Sequence, residues 1–208
     1  MTDTVDIIRV DNFLTDMEMG IVSEELLKLN SSLCEESNHK DHNMVEIKYS
    51  RVYLDFHYAD NRDTSDILKI IQDNLFNKKI YNIIPMTEEL LKLIPLSDTS
   101  ECQYTVYPIG GSYDWHIDDY VYDYYSRPFR IANYIYYTND DFDGGELHIS
   151  YKKNIDTTKK NCTDELVADL IIVPKKNTLV IMPSNAWHTV TPITKGERRT
   201  VNGHIGFR

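Results

Sequence analysis

From Glu101 to the C-terminus the chain is a succession of short runs rich in β-branched and aromatic residues: ECQYTVY, FRIANYIYYT, GELHIS, DLIIVP, NTLVIMP, AWHTVT and RRTVNGHIGF. Gly, Pro, Asn or Asp separates each from the next, and runs this short between turn formers are strands and not helices. Seven or eight such strands restrict the second half to an all-β sandwich, jelly roll or small barrel. Gly144 and Gly145 are expected at a tight turn that needs unusual backbone angles, and 152–164 is the best candidate for a mobile loop.

The first half has a different texture. IIRVDNFLT suits a short strand and turn, after which Thr15 is placed to cap a helix through MEMGIVSEELLKLN. A polar loop follows, then a strand or hairpin over 45–58 and helical patterns at 63–76 and 85–95. The fold class is thus mainly β with supporting α. The expected organisation is one domain over 1–208, with 1–95 as a support layer for a core at 101–207.

Bulk properties remove several function classes. A formal charge of -11 argues against a nucleic-acid partner, which would need a clustered Lys/Arg surface. Lys152, Lys153, Lys159 and Lys160 do cluster, but a solvated loop explains them. No run approaches the roughly 18 apolar residues of a membrane span, and the N-terminus lacks the form of a signal peptide. Cys34, Cys102 and Cys162 are far apart and form no CxxC pair, so they read as reduced thiols in a cytoplasmic protein.

The chemistry is carried by a small constellation. His116 and Asp118 lie two apart in YDWHIDD, a spacing that on a strand sends both side chains from one face. An isolated HxD is usually accidental. His188, in NAWHTVTP, adds a second imidazole from the same β-rich half, and two His with one carboxylate on three corners of an octahedron leave three adjacent positions open. Arg198 follows ten residues later. If His188 ends one strand and Arg198 begins the next, the guanidinium enters the same cavity and grips a carboxylate, while Arg199 points the other way as a surface charge.

The order TVYPIGGSYDWHIDD, IYYTNDDFDGGELHI, NAWHTVTPITKGERRTV resembles the Fe(II)- and 2-oxoglutarate-dependent dioxygenases of the prolyl 4-hydroxylase type. The resemblance covers about 101–207 and implies a double-stranded β-helix (jelly roll) core packed against N-terminal helices. It implies that His116, Asp118 and His188 are the catalytic iron ligands and that Arg198 pairs with the distal carboxylate of 2-oxoglutarate. Tyr137 and Tyr107 fall where relatives have tyrosines near that cosubstrate, although each also reads as a core aromatic. Thr138 replaces a usual Leu, and His204 stands where many relatives carry Trp, on the wall of the cavity. Trp115 and Trp187, each beside a ligand His, are expected to turn outward and pack. His39, His42, His57 and His148 have no partner at ligand spacing.

By the same resemblance the reaction consumes O2 and 2-oxoglutarate, releases succinate and CO2 and hydroxylates a C–H bond, with ascorbate as an accessory reductant. Retention of Asp118 favours hydroxylation over halogenation. The expected substrate is a peptidyl proline at a mouth formed by 119–130, DYVYDYYSRPFR, through Asp119, Tyr120, Tyr122, Tyr124 and Arg130, with His204 behind. The alternatives are hydroxylation of a free amino acid or other small molecule, and a non-enzymatic, cupin-like jelly roll that binds metal or sugar.

Overall fold

A computed structural model describes residues 7–29, 34–37, 48–53, 65–75, 102–118, 129–152 and 162–207. Helix α1 (Asp16–Leu29) starts where Thr15 and Glu18 form a reciprocal cap. Thr15 Oγ1 accepts from the Glu18 N–H at 3.3 Å and Glu18 Oε2 accepts from the Thr15 N–H at 2.8 Å, satisfying two otherwise orphaned donors. Helix α2 (Asp66–Gln72) is capped by Ser65, whose Oγ accepts from the Leu68 N–H at 3.3 Å, so it begins later than the 63–76 pattern suggests. The helical pattern at 85–95 lies outside the described residues.

Two carboxylates of α1 bracket α2. Glu25 accepts from Ser65 Oγ at 2.6 Å and from the Ile67 N–H at 2.9 Å, at the start of α2. Glu18 Oε1 accepts from Asn74 Nδ2 at 2.9 Å, just past its end. The two helices are therefore held antiparallel.

Their apolar stripes cover one face of a seven-stranded antiparallel sheet. Its strands are β1 (Ile8–Asp11), β2 (Cys34–Ser37), β3 (Lys48–Tyr53), β4 (Cys102–Tyr107), β6 (Phe129–Tyr137), β10 (Thr178–Pro183) and β13 (Arg198–Phe207), in the order β1-β10-β6-β13-β4-β3-β2. A four-stranded sheet, β5-β11-β8-β9, is built from β5 (Tyr113–His116), β8 (Leu147–Ser150), β9 (Leu170–Ile172) and β11 (Trp187–Val190). The short strands β7 (Asp143–Gly144) and β12 (Ile193–Lys195) pair separately. All seven sequence runs after Glu101 are strands; β5, β7 and β12 bring the described total above the expected seven or eight. From β4 onward the chain passes repeatedly between the two larger sheets, which is the winding of a double-stranded β-helix.

Alternation divides the large sheet into two faces. Tyr104, Tyr134, Tyr136, Leu179, Ile181, Val201 and Ile205 pack with Phe13, Val22, Leu26, Ile67 and Ile71 of the helical layer. Their neighbours Ile135, Tyr137, Val180 and Met182 face the other way and meet Leu147, Ile149, Ile172 and Val190 of the small sheet. Strands β6 and β10 are consequently buried on both faces, which explains why they read as almost continuous apolar runs. No helix among the described residues is long and apolar enough to cross a membrane.

Candidate active site

His116 is the last residue of β5 and lies opposite His188 on β11 in the register of the small sheet. Asp118 stands two residues beyond the end of β5, so strand alternation alone does not bring it to His116. Its N–H donates to the Ser184 carbonyl at 2.9 Å, which carries the pairing past the formal strand and turns the carboxylate inward. Among the described residues, this is the one group of three His, Cys, Asp or Glu side chains whose ligand atoms converge, all within 4.8 Å of one another.

Both imidazoles are set by their own strands. His116 Nδ1 lies 2.7 Å from the Asp114 carbonyl and His188 Nδ1 lies 2.9 Å from the Ala186 carbonyl, each two residues upstream. A carbonyl oxygen can only accept, so Nδ1 carries the proton and Nε2 keeps a lone pair for the interior. His188 Nε2 is 3.4 Å from Asp118 Oδ2, and His116 Nε2 is 3.8 Å from Oδ1. Tyr113 stacks on His116 with ring centroids 3.9 Å apart.

Burial pushes the His116 pKa down to about 3, and neighbouring His188 adds to the effect, so the ring stays neutral and able to donate its lone pair. Burial on its own would raise the Asp118 carboxyl. The close approach of the His188 and His204 rings outweighs it and holds the group well below the usual carboxylate range. Two imidazole nitrogens and one carboxylate oxygen, converging on one point, are a donor set suited to a non-haem Fe(II).

Arg198 opens β13 and is 1% exposed. Its guanidinium carbon lies 5.0 Å from the Tyr107 ring and 5.2 Å from the Tyr137 ring, held between the two aromatic faces. No carboxylate among the described residues pairs with it, and neither Arg198 Nε nor the buried Tyr137 hydroxyl has a hydrogen-bond partner there. A buried cation without a counter-ion is costly, so this pocket suits the carboxylate of a ligand. Tyr113, which lies against His116, also packs on the small cluster of Tyr107 and Ile193, and so the arginine pocket and the His/Asp cluster share one wall.

Arg199 occupies the opposite face, more than a third exposed and paired with Glu197. His204 lies on the same side of β13 as Arg198, with Nε2 3.8 Å from Asp118 Oδ2. The chain from His188 to Arg198 is not one turn between two strands, because β12 intervenes. His148 is held by Glu146 at 3.0 Å, away from the cluster, and Trp187 is buried at 8% exposure. Asp119, Tyr120, Tyr122 and Tyr124 lie outside the described residues. Arg130 is on β6, but its side chain also lies outside what the structure describes.

Two residues that the sequence did not place at the site belong to it. Asn133 donates from Nδ2 to Asp118 Oδ2 at 2.7 Å. A polar residue on the inward phase of FRIANYIYY, two positions before Ile135, was the available signal. Gly145, expected to be only a turn former, has φ +65° and lies against the site: a Cβ there would run into the Ile193 side chain and stand 3.0 Å from Arg198 Cδ.

A model of the 2OG-Fe(II) oxygenase superfamily matches residues 102–206, just over half of the chain. PKHD-type hydroxylases of Pseudomonas aeruginosa, including PKHD-type hydroxylase PiuC, are 29% identical over 100 residues, 46% of this chain and 38% of each relative. The match thus spans well under half the length of those curated relatives. Among solved structures, a Pseudomonas putida prolyl-4-hydroxylase superposes with a TM-score of 0.63 at 20% identity, covering 99% of this chain and 94% of that one. A Trichoplax adhaerens prolyl hydroxylase, in complex with a hypoxia inducible factor oxygen degradation domain peptide fragment, gives 0.65 at 15% identity over 99% and 85%. A viral collagen prolyl hydroxylase of Paramecium Bursaria Chlorella virus-1, in its 2OG complex, gives 0.58 at 17% over 97% and 96%. These similarities establish a shared jelly-roll fold.

Proposed function

The chain belongs to the 2OG-Fe(II) oxygenase superfamily, and from that premise we propose that it is a hydroxylase whose iron is held by His116, Asp118 and His188 and whose preferred substrate is a peptidyl proline. The family implies Fe(II), 2-oxoglutarate and O2; together they supply the power to insert oxygen into a C–H bond, with loss of succinate and CO2. Ascorbate as reductant and a cytoplasmic setting belong to the same proposal.

The observation that carries the reading is Arg198, buried and paired with no carboxylate among the described residues. It would take the distal carboxylate of 2-oxoglutarate in a charge-assisted pair, with the Tyr137 hydroxyl as a second donor and the Tyr107 ring holding the guanidinium in plane. His116 and His188 would present Nε2, their protons being held on Nδ1 by backbone carbonyls, so no side-chain proton has to leave before metal binds. Tyr113 and the stacked aromatic wall exclude water from one side of the site.

The peptidyl-proline assignment is supported by likeness in fold to a prolyl hydroxylase with a bound peptide fragment. The test compares proline-containing peptides, free proline and other free amino acids for a mass gain of one oxygen coupled to succinate release. Coupled hydroxylation of a peptide is expected. Hydroxylation of a free amino acid with every peptide inert would replace the substrate while leaving the reaction class in place.

A further inference from the structure

The inner face of the large sheet changes character across its width. On β6 and β10 it is apolar, with Ile135, Tyr137, Val180 and Met182 packed on the small sheet. On β4 and β13 the same face carries Gln103, Thr105, Thr200 and Asn202, because the alternate residues Tyr104, Val106 and Val201 belong to the helical side. The break falls between Ile135 and Asn202, which are direct partners in the register of β6 and β13. Apolar packing against the small sheet does not call for an amide at that point.

Three of these side chains form one unit. Asn202 Oδ1 accepts from Thr105 Oγ1 at 2.9 Å and from Thr200 Oγ1 at 3.4 Å. The two threonines are buried and stand opposite each other in the register of β4 and β13, on the Arg198 side of Asn202. The oxygen and nitrogen of an amide leave their carbon at a wide angle, so the Asn202 nitrogen is turned the other way, toward His204. His204 Nε2 in turn lies 3.8 Å from Asp118 Oδ2. Among the described residues, no group accepts a hydrogen bond from the Asn202 nitrogen, although Asn202 is half-buried.

Asn202 thus lies between two fixed points on one row of β13. Arg198 is two alternations behind it, and His204, beside the His/Asp cluster, is one alternation, about 7 Å, ahead. A dicarboxylate held at Arg198 and reaching the cluster runs along this row. We infer that Asn202 contacts the cosubstrate: its amide nitrogen, aimed by Thr105 and Thr200, donates to the carboxylate through which 2-oxoglutarate chelates the metal. This rests on the proposed metal centre. A neutral donor suits the place, because it favours an anion without adding a positive charge that would repel the metal ion.

The test uses Co(II)-loaded full-length protein and two ligands, with ligand-field absorption as the readout of binding. One is 2-oxoglutarate; the other is 2-oxobutyrate, which keeps the chelating carboxylate and ketone but lacks the distal carboxylate. Asn202→Leu removes the donor at similar volume, and Asn202→Asp, which puts an acceptor in its place, serves if the leucine variant does not fold. Affinity for both ligands should fall by about tenfold or more, the scale of a hydrogen bond to a charged group. Co(II) affinity, from competition with a chromophoric chelator, should stay within about threefold. Thr105→Val should give a smaller loss on both ligands, and Thr105→Ser should restore it. Unchanged affinities in the Asn202 variants would overturn the inference. So would a loss confined to 2-oxoglutarate, which would put Asn202 at the distal carboxylate, or a parallel loss of Co(II), which would mean that Asn202 supports the metal ligands. His116→Ala is the separate control: if it retains Co(II) affinity, the metal centre itself is wrong and the inference falls with it.

Discussion

The two faces of β13 are made by alternate residues of one strand, yet they solve opposite problems. Val201 and Ile205 point into the helical layer, fully buried among Tyr104, Tyr134, Tyr136 and the α1 and α2 side chains. Arg198, Thr200 and His204 point the other way, toward the small sheet, and every one carries a polar group in a buried or half-buried setting. The apolar face stabilises the fold by removing area from water, at about 25 cal/mol per Å². The polar face works against stability, since a guanidinium that meets no carboxylate among the described residues is kept out of water there. One strand thus carries the scaffold on one side and the candidate chemistry on the other, which lets each be perturbed separately.

The sharpest break should come on the polar side. His116→Ala, Asp118→Ala and His188→Ala are each expected to abolish coupled succinate formation and to weaken Co(II) binding by about 100-fold, with circular dichroism unchanged. Wild-type turnover by any of the three would refute the ligand set. On the apolar side, one residue from His204, Ile205→Ala should cost about 2–5 kcal/mol of stability in denaturant titration while the folded fraction binds 2-oxoglutarate as before. A change in 2-oxoglutarate affinity there would show that the faces are coupled. The pair Arg198→Lys and Arg199→Lys sharpens the contrast between neighbours. The first should lose about 1–3 kcal/mol of 2-oxoglutarate binding by calorimetry and the second almost nothing, because Arg199 lies on the other face beside Glu197. Equal losses would mean that both guanidinium groups reach the ligand. Smallest, Thr15→Ala removes half of the reciprocal cap on α1 and should lower the midpoint of thermal unfolding by an amount corresponding to about 1 kcal/mol, without altering ligand binding.

How far the sequence was legible depends on the range of the interactions involved. Period-two patterning between turn residues is local, and it gave every run after Glu101 as a strand and the opposite phases of Arg198 and Arg199. Thr15 and Glu18 are likewise a local signature. The convergence of Asp118 was legible only as a motif, because its cause is a hydrogen bond to Ser184, 66 positions away, and not the alternation that the HxD spacing suggests. The contact of Asn133 with Asp118 and the seat of Arg198 against Gly145 depend on strand pairing and turn geometry, which no local window contains. Short strands such as β7 and β12 exist because a partner is present, and their residues carry no strong intrinsic preference.

The bracket that Glu18 and Glu25 place around α2 bears on local opening. With seven α-helical residues and a π-turn over 73–75, the described α2 segment is still shorter than the roughly 12 needed for a marginal helix in isolation, so it leans on the carboxylates of α1 and the apolar face of the sheet. Loss of α1 from the sheet strips the Ser65 and Ile67 donors of their acceptors and leaves the Asn74 amide with the Ile70 carbonyl alone. The two helices should therefore open as one cooperative unit, visible in native-state hydrogen exchange as α2 amides whose opening free energy never exceeds that of α1. Protection that lasted longer in α2 than in α1 would show that the short helix holds itself.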